Sequence, residues 1–241
     1  MGSNIRKGEK RYQPTSYYGP GSAIGLLMLQ SPQGARIVLP EGTLRVGVIG
    51  LGIGTIAAYP HPGDYFRYYE INPDVISAAT NPKGYFTFLR DSPAKVDVIL
   101  GDARLSMERE LHDGNPQHFD VLAIDAFSGD AIPVHLLTSE AIAIYLQELK
   151  PDGVIAFHIT NGYLDLRPVL WESARRFNLR GAWIHDVVSS RMLSTSDWVL
   201  LSRSDRVLRQ PDIAQHLRPL DSGRKVRLWT DDYSNLFQIL K

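Results

Sequence analysis

The chain has no cysteine among its 241 residues. That removes disulfides, thiolate nucleophiles and cysteine-ligated metals, and it gives no sign of an oxidising compartment, so a cytoplasmic setting is expected. It also has no excess charge: 26 basic residues balance 26 acidic ones. No net positive field is present to draw in nucleic acid or an anionic membrane surface, and a small-molecule partner is the expectation. Long hydrophobic runs are missing too. The longest early one, Ala23 to Gln30, is too short to span a bilayer and lacks a cleavage-type flank. There is no internal repeat.

With 44% apolar residues the chain can bury a sizeable core, and its length suits one α/β domain carrying a small appendage. Residues 1–42 read as the appendage: an aromatic-dotted opening, KRYQPTSYYGPGS, precedes two short apolar runs around Leu26 and Val38, separated by SPQG in the manner of a β-hairpin. Residues 43–241 read as the main domain. From Leu44 onward, apolar segments (LRVGVIG, YFRYYE, VDVIL, FDVLAID, GVIAFHIT, GAWIHDVV, DWVLLS) alternate with helical ones (NPDVISAAT, ARLSMERELH, TSEAIAIYLQELK, RPVLWESARRF). Several apolar segments lack a polar face, as strands buried between helix layers do. This β-α alternation predicts a doubly wound parallel sheet, which places a ligand crevice beyond the carboxyl ends of the strands.

The residues just after each strand therefore carry the chemistry. After the first come Gly50, Gly52 and Gly54, bare enough to let ligand atoms reach the main chain, or simply a tight turn with nothing bound. After the second stands Glu70, twenty residues beyond Gly50, the spacing at which nucleotide-binding sheets set an acid against ribose hydroxyls. Thr55 occupies the third glycine's place in G-x-G-x-x-G, which counts against a dinucleotide. After the third strand, Asp102 suits two roles: hydrogen-bond acceptor for an adenine amino group, or N-cap of the following helix. The fourth strand ends in AIDAFSGDAIP. Asp125 and Asp130 there can orient a cationic substrate and take a proton from its amine, or form a turn that bonds its own backbone. His158 lies inside the fifth strand and reads as a packed core histidine, with Thr160 and Asn161 at the strand's productive end. Asp231, Asp232 and Tyr233 either return over the site or cap the last helix. Tyr18, Asp130 and Asp231 are the candidate substrate contacts; no metal site is expected.

Taken together, VGVIGLGIGT, YYEINPDV, LGDARLSM and FDVLAIDAFSGDAIPVHLL resemble the spermidine synthase (polyamine aminopropyltransferase) family, and within it a bacterial spermidine synthase-like branch often fused behind membrane segments. The resemblance runs from about Tyr17 to the C-terminus. It implies the class I S-adenosylmethionine-dependent methyltransferase fold, Rossmann-like, preceded by a small β domain, and a dimer. It also implies transfer of an aminopropyl group from decarboxylated S-adenosylmethionine to a small amine such as putrescine. On this likeness the glycine loop is Gly50, Gly52 and Gly54, the ribose acid Glu70, the adenine-contacting pair Asp102 and Ala103, and the proton-accepting aspartate Asp125.

A sulfonium is already an activated leaving group, so the protein must mainly hold a neutral amine in line and receive its proton. A carboxylate also attracts the ammonium form, which leaves water or a neighbouring group a part in deprotonation. Two positions depart from the family. Its loop aspartate, which disfavours a donor that keeps its carboxylate, is Ile53 here, and its second carboxylate, three residues after the first, is Ser128 here. Two further readings follow: a transferase that keeps S-adenosylmethionine itself, such as a methyltransferase, and a nucleoside-binding domain without turnover.

Overall fold

A computed structural model of the protein describes residues 13–28, 42–127, 129, 132–188 and 190–241. Its centre is an eight-stranded sheet, with strands β1 (Arg45–Ile49), β2 (Tyr65–Glu70), β3 (Lys95–Leu100), β4 (Phe119–Ile124), β5 (Leu149–His158), β6 (Arg180–Asp186), β7 (Ser196–Ser202) and β8 (Leu217–Pro219). The spatial order is β3-β2-β1-β4-β5-β7-β6-β8. β1 to β5 pair in parallel, whereas β7 runs antiparallel to both β5 and β6. All seven expected strands form, but the sheet is not parallel throughout. β6 leaves a place beside β5, and the chain turns back from β6 to fill that place with β7.

Along each central strand, successive side chains enter opposite cores. Val121 and Ala123 of β4 and Val154 and Ala156 of β5 join one core with α1 (Ala23–Met28), α2 (Pro73–Thr80), α3 (Phe88–Asp91) and α7 (Pro211–Ala214). Leu122, Ile124, Ile155 and Phe157 join the other with α4 (Ala103–His112), α5 (Ser139–Glu148) and α6 (Arg167–Arg176). Every residue of β4 is buried, and each such large apolar side chain contributes roughly 1.5–3 kcal/mol. That burial fixes the strand ends from which the site is built. Side-chain caps start three of the helices: Asn72 accepts from Asp74 N–H, Asp102 from Leu105 N–H and Thr138 from Ala141 N–H.

The first apolar run of the expected N-terminal hairpin is α1 instead of a strand. Ser22 Oγ accepts the N–H of Gly25 at 3.1 Å as an N-cap does, and all six helical residues are buried, so no exposed face imposes strand alternation. The second run, around Val38, lies outside the described residues. Ahead of α1, Ser16 pairs with the β6–β7 connection through Ser16 N–H to Met192 O at 2.8 Å and Ser194 N–H to Ser16 O at 2.9 Å. This pairing carries Tyr17 and Tyr18 across the carboxyl ends of the strands. Among the described residues no helix is long and apolar enough to cross a membrane.

Candidate active site

The parallel register brings the strand ends level. Ile49 lies beside Tyr69 and Ile124, and Ile124 beside Phe157, so the next residues, Gly50, Glu70, Asp125 and His158, emerge side by side. They open into one cleft of about 1100 Å³.

At one end of the cleft the loop after β1 is tied to the acid after β2. Glu70 Oε2 accepts Leu51 N–H at 3.0 Å, and Oε1 accepts Asn72 N–H at 2.8 Å. A fixed carboxylate results, and each oxygen keeps a free lone pair. The glycines beside it serve different purposes. Gly50, at φ +94°, has Asp125 O only 2.6 Å from where a Cβ would stand, so its bareness is a packing requirement of the β1–β4 junction. Gly52, at φ +52°, has nothing within 4 Å of that point and borders the cleft; a side chain there would occupy ligand space. Asp102 accepts Leu105 N–H at 3.0 Å with one oxygen and lies 3.0 Å from His135 Nε2 with the other. It is thus a helix cap that also lines the cleft, as does Ala103.

At the other end Asp125 is held between two side chains distant in sequence. The Tyr18 hydroxyl donates to its Oδ2 at 2.7 Å, and His158 Nδ1 stands 2.6 Å from its Oδ1. Burial, followed by the Asp125 charge, pushes the Tyr18 phenol well above its ordinary range, so it stays protonated as a donor. The His158 ring lies flat on Trp198, its antiparallel partner in β7, with centroids 4.4 Å apart and planes 7° from parallel. Tyr17 and Phe127 each approach the same ring with centroids at 5.1 Å. Among the described lining residues Glu70, Asp102 and Asp125 are the acids, and neither lysine nor arginine is present. Three carboxylates and several aromatic rings make a cleft that attracts a cation.

The structure therefore brings together Tyr18, Gly50, Gly52, Glu70, Asp102, Ala103 and Asp125. Other expectations need correction. Gly54 is absent from the described cleft wall; it abuts Leu89, whose Cδ2 would be 2.7 Å from an added Cβ. Ile53 packs partly buried against the core of α1, α2 and α3 and is likewise absent from the described cleft wall. Asp231 is drawn away from the cleft by a bidentate bond from Arg104, at 2.7 and 2.6 Å, and by the Thr138 hydroxyl at 2.8 Å. It lines an adjoining concavity of about 640 Å³ that shares His135 with the cleft, and Asn235, not Asp231, caps the last helical turn. Asp130 lies outside the described residues. The sequence reading took His158 for core packing; it is packed, and it is also bonded to the candidate base. Tyr17, Phe127 and His135 were missed altogether, since nothing local marks a loop aromatic or histidine as facing a cleft.

No protein-family model matches the chain. A polyamine aminopropyltransferase of Vibrio vulnificus is 32% identical over 150 residues, 56% of this chain and 48% of that protein. An N-terminal histidine N-methyltransferase of Emericella nidulans is 38% identical over 112 residues, 46% of this chain and 19% of that protein. The chain thus spans under half the length of these curated relatives. Among solved structures, human methyltransferase-like protein 13 in complex with SAH covers 87% of this chain and 93% of its own, at TM-score 0.56 and 19% identity. Spermidine synthase of Thermotoga maritima covers 88% and 67%, at TM-score 0.50 and 15% identity. The fold is that of the class I S-adenosylmethionine-dependent methyltransferases. The relatives divide between aminopropyl and methyl transfer, so the expected polyamine family narrows to the coarser kinship of transferases built on this fold.

Proposed function

We propose that the chain is a transferase that moves a carbon group from a sulfonium nucleoside to the nitrogen of an amine, and that its preferred reaction is aminopropyl transfer from decarboxylated S-adenosylmethionine to a small diamine such as putrescine. One observation carries this reading: the Asp125 carboxylate, clamped by Tyr18 and His158, stands in the same cleft as the Glu70-braced glycine loop, among aromatic rings and without a lysine or arginine in the described lining.

The residues present fit such a nucleoside. Glu70 has lone pairs free for ribose hydroxyls, Gly52 leaves room for close approach, and Asp102 with Ala103 borders the place for the base. When bound, the nucleoside supplies a transferable carbon already activated by its sulfonium. The protein's part is to align the acceptor nitrogen and to offset the positive charge that grows on it. Asp125 suits both tasks because its two hydrogen-bond partners hold it rigid. The aromatic rings beside it favour a cationic acceptor over an anionic one.

A second reading, methyl transfer from S-adenosylmethionine itself, is favoured by the N-methyltransferase relative. By their names one relative acts on polyamines and the other at a histidine nitrogen, so an amine-type acceptor fits both readings. Since Ile53 faces the core, the choice of donor falls to other parts of the cleft. Incubating the protein with putrescine and each donor, followed by mass spectrometry, separates the readings. Methylthioadenosine with spermidine is the expected outcome. S-adenosylhomocysteine with a methylated amine establishes the second reading instead, and neither product with nucleoside binding retained establishes a domain without turnover.

A further inference from the structure

We infer that His158 is the final holder of the proton released by the acceptor amine, receiving it through the Thr160 hydroxyl while Asp125 keeps the amine in place. This rests on the amine-transfer reading above and adds a residue and a path to it. Both Asp125 oxygens already accept one hydrogen bond each, at 2.7 and 2.6 Å. Imidazole is by nature a stronger base than a carboxylate, and so a better final place for the proton.

The tautomer follows from the partners. Asp125 as a carboxylate only accepts, so His158 Nδ1 carries a hydrogen toward it. The other ring nitrogen, Nε2, lies 2.8 Å from Thr160 Oγ1, which itself accepts the Asp197 N–H at 2.8 Å. One Thr160 lone pair is thereby used, its proton is directed at Nε2, and one lone pair remains on a residue that lines the cleft. In this tautomer Nε2 is the acceptor.

As the nitrogen lone pair forms the new C–N bond, the donor's C–S bond breaks and its electron pair stays on sulfur, which leaves as a neutral thioether. A hydrogen on the acceptor nitrogen passes to Thr160 Oγ1 while the Thr160 proton passes to Nε2. The N–H electron pair stays on the amine. The net change is one proton moved from ammonium to imidazole, with no other reactant. The imidazolium is then stabilised by the Asp125 charge and by the Trp198 face. The groups facing the ring are Asp125 after β4, Phe127 in the loop beyond it, Tyr17 and Tyr18 ahead of α1, and Trp198 of β7. The carboxylate of Asp197, beside Trp198, is occupied by Trp183 at 2.9 Å and His185 at 2.8 Å, and Tyr68 of β2 reaches Asp125 electrostatically.

The test compares His158→Asn, Thr160→Val and Thr160→Ser. Asn keeps a donor toward Asp125 but has no basic nitrogen, so kcat should fall about 10²-fold with KM for the amine nearly unchanged. The acid limb of the kcat pH profile should vanish in that variant. Thr160→Val should show a similar loss, and Thr160→Ser should restore most of it. Full kcat with an intact acid limb in His158→Asn, or a Thr160→Ser variant as impaired as Thr160→Val, overturns the relay while leaving amine transfer standing. If the wild-type protein transfers nothing, amine transfer itself fails. The tautomer that the relay requires is read separately from turnover by imidazole ¹⁵N NMR, with His158→Asn identifying the resonances. A protonated Nδ1 and bare Nε2 at neutral pH, with Nε2 gaining a proton on acidification, supports the assignment. The opposite tautomer, or a ring that never protonates before unfolding, overturns it.

Discussion

The two ends of the cleft are built in different ways. At the glycine-loop end, the carboxylates of Glu70 and Asp102 are held largely by backbone N–H groups within twenty residues of them, at Leu51, Asn72 and Leu105. At the Asp125 end the carboxylate is held by side chains 107 and 33 residues away in sequence, Tyr18 and His158. A ligand seat can thus be assembled from local turns, while the end proposed to carry the chemistry depends on the whole fold closing. Substitutions at the first end should therefore act on nucleoside binding, and those at the second on turnover.

The largest expected effect is at Asp125. Asp125→Asn should lower kcat about 10³-fold while nucleoside affinity holds, measured by product formation beside calorimetric titration. Comparable losses in both would make the cleft one indivisible unit. Next come two glycines that look alike in sequence. Gly50→Ala drives a Cβ to 2.6 Å from Asp125 O and should cost about 3 kcal/mol or more in a denaturant melt, since main chain must move. Gly52→Ala meets open space; only the left-handed backbone opposes it, so about 1–2 kcal/mol is expected, with nucleoside affinity reduced. Equal destabilisation would place both in packing roles.

Glu70→Gln removes the charge but keeps one acceptor, so nucleoside Kd should rise about tenfold with the amine KM unchanged. The smallest effect on transfer is expected at a carboxylate outside the cleft. Burial, with the neighbouring Glu110 charge, pushes Glu148 up to about 7 although Gln117 N–H opposes this. Between its ordinary 4.5 and about 7 the folded chain binds a proton that the unfolded chain has released, so stability should fall as pH rises through that window. Glu148→Gln should flatten that slope, by up to about 3 kcal/mol across the window, without touching transfer.

The main domain was legible because buried strands and capped helices leave local marks. β4 is buried at every position and apolar at all but Asp120, and Asp102 announces α4. The run at Ala23–Met28 was not legible, because six buried apolar residues lack a period that separates helix from strand. The same contrast runs through the site. Glu70 was found by its spacing from Gly50, and Asp125 by its place at a strand end. Asp231 was misplaced because its partner Arg104 is 127 residues away, and the bond between His158 and Asp125 arises only from the β4–β5 register. Long-range pairing leaves no trace in a local pattern.

A crystal structure with methylthioadenosine and putrescine tests the central claim most directly. The account expects the ribose hydroxyls on Glu70, the base beside Asp102, and the sulfur directed at an amine held by Asp125. A nucleoside seated elsewhere, or reversed so that its base lies against Asp125, would contradict it.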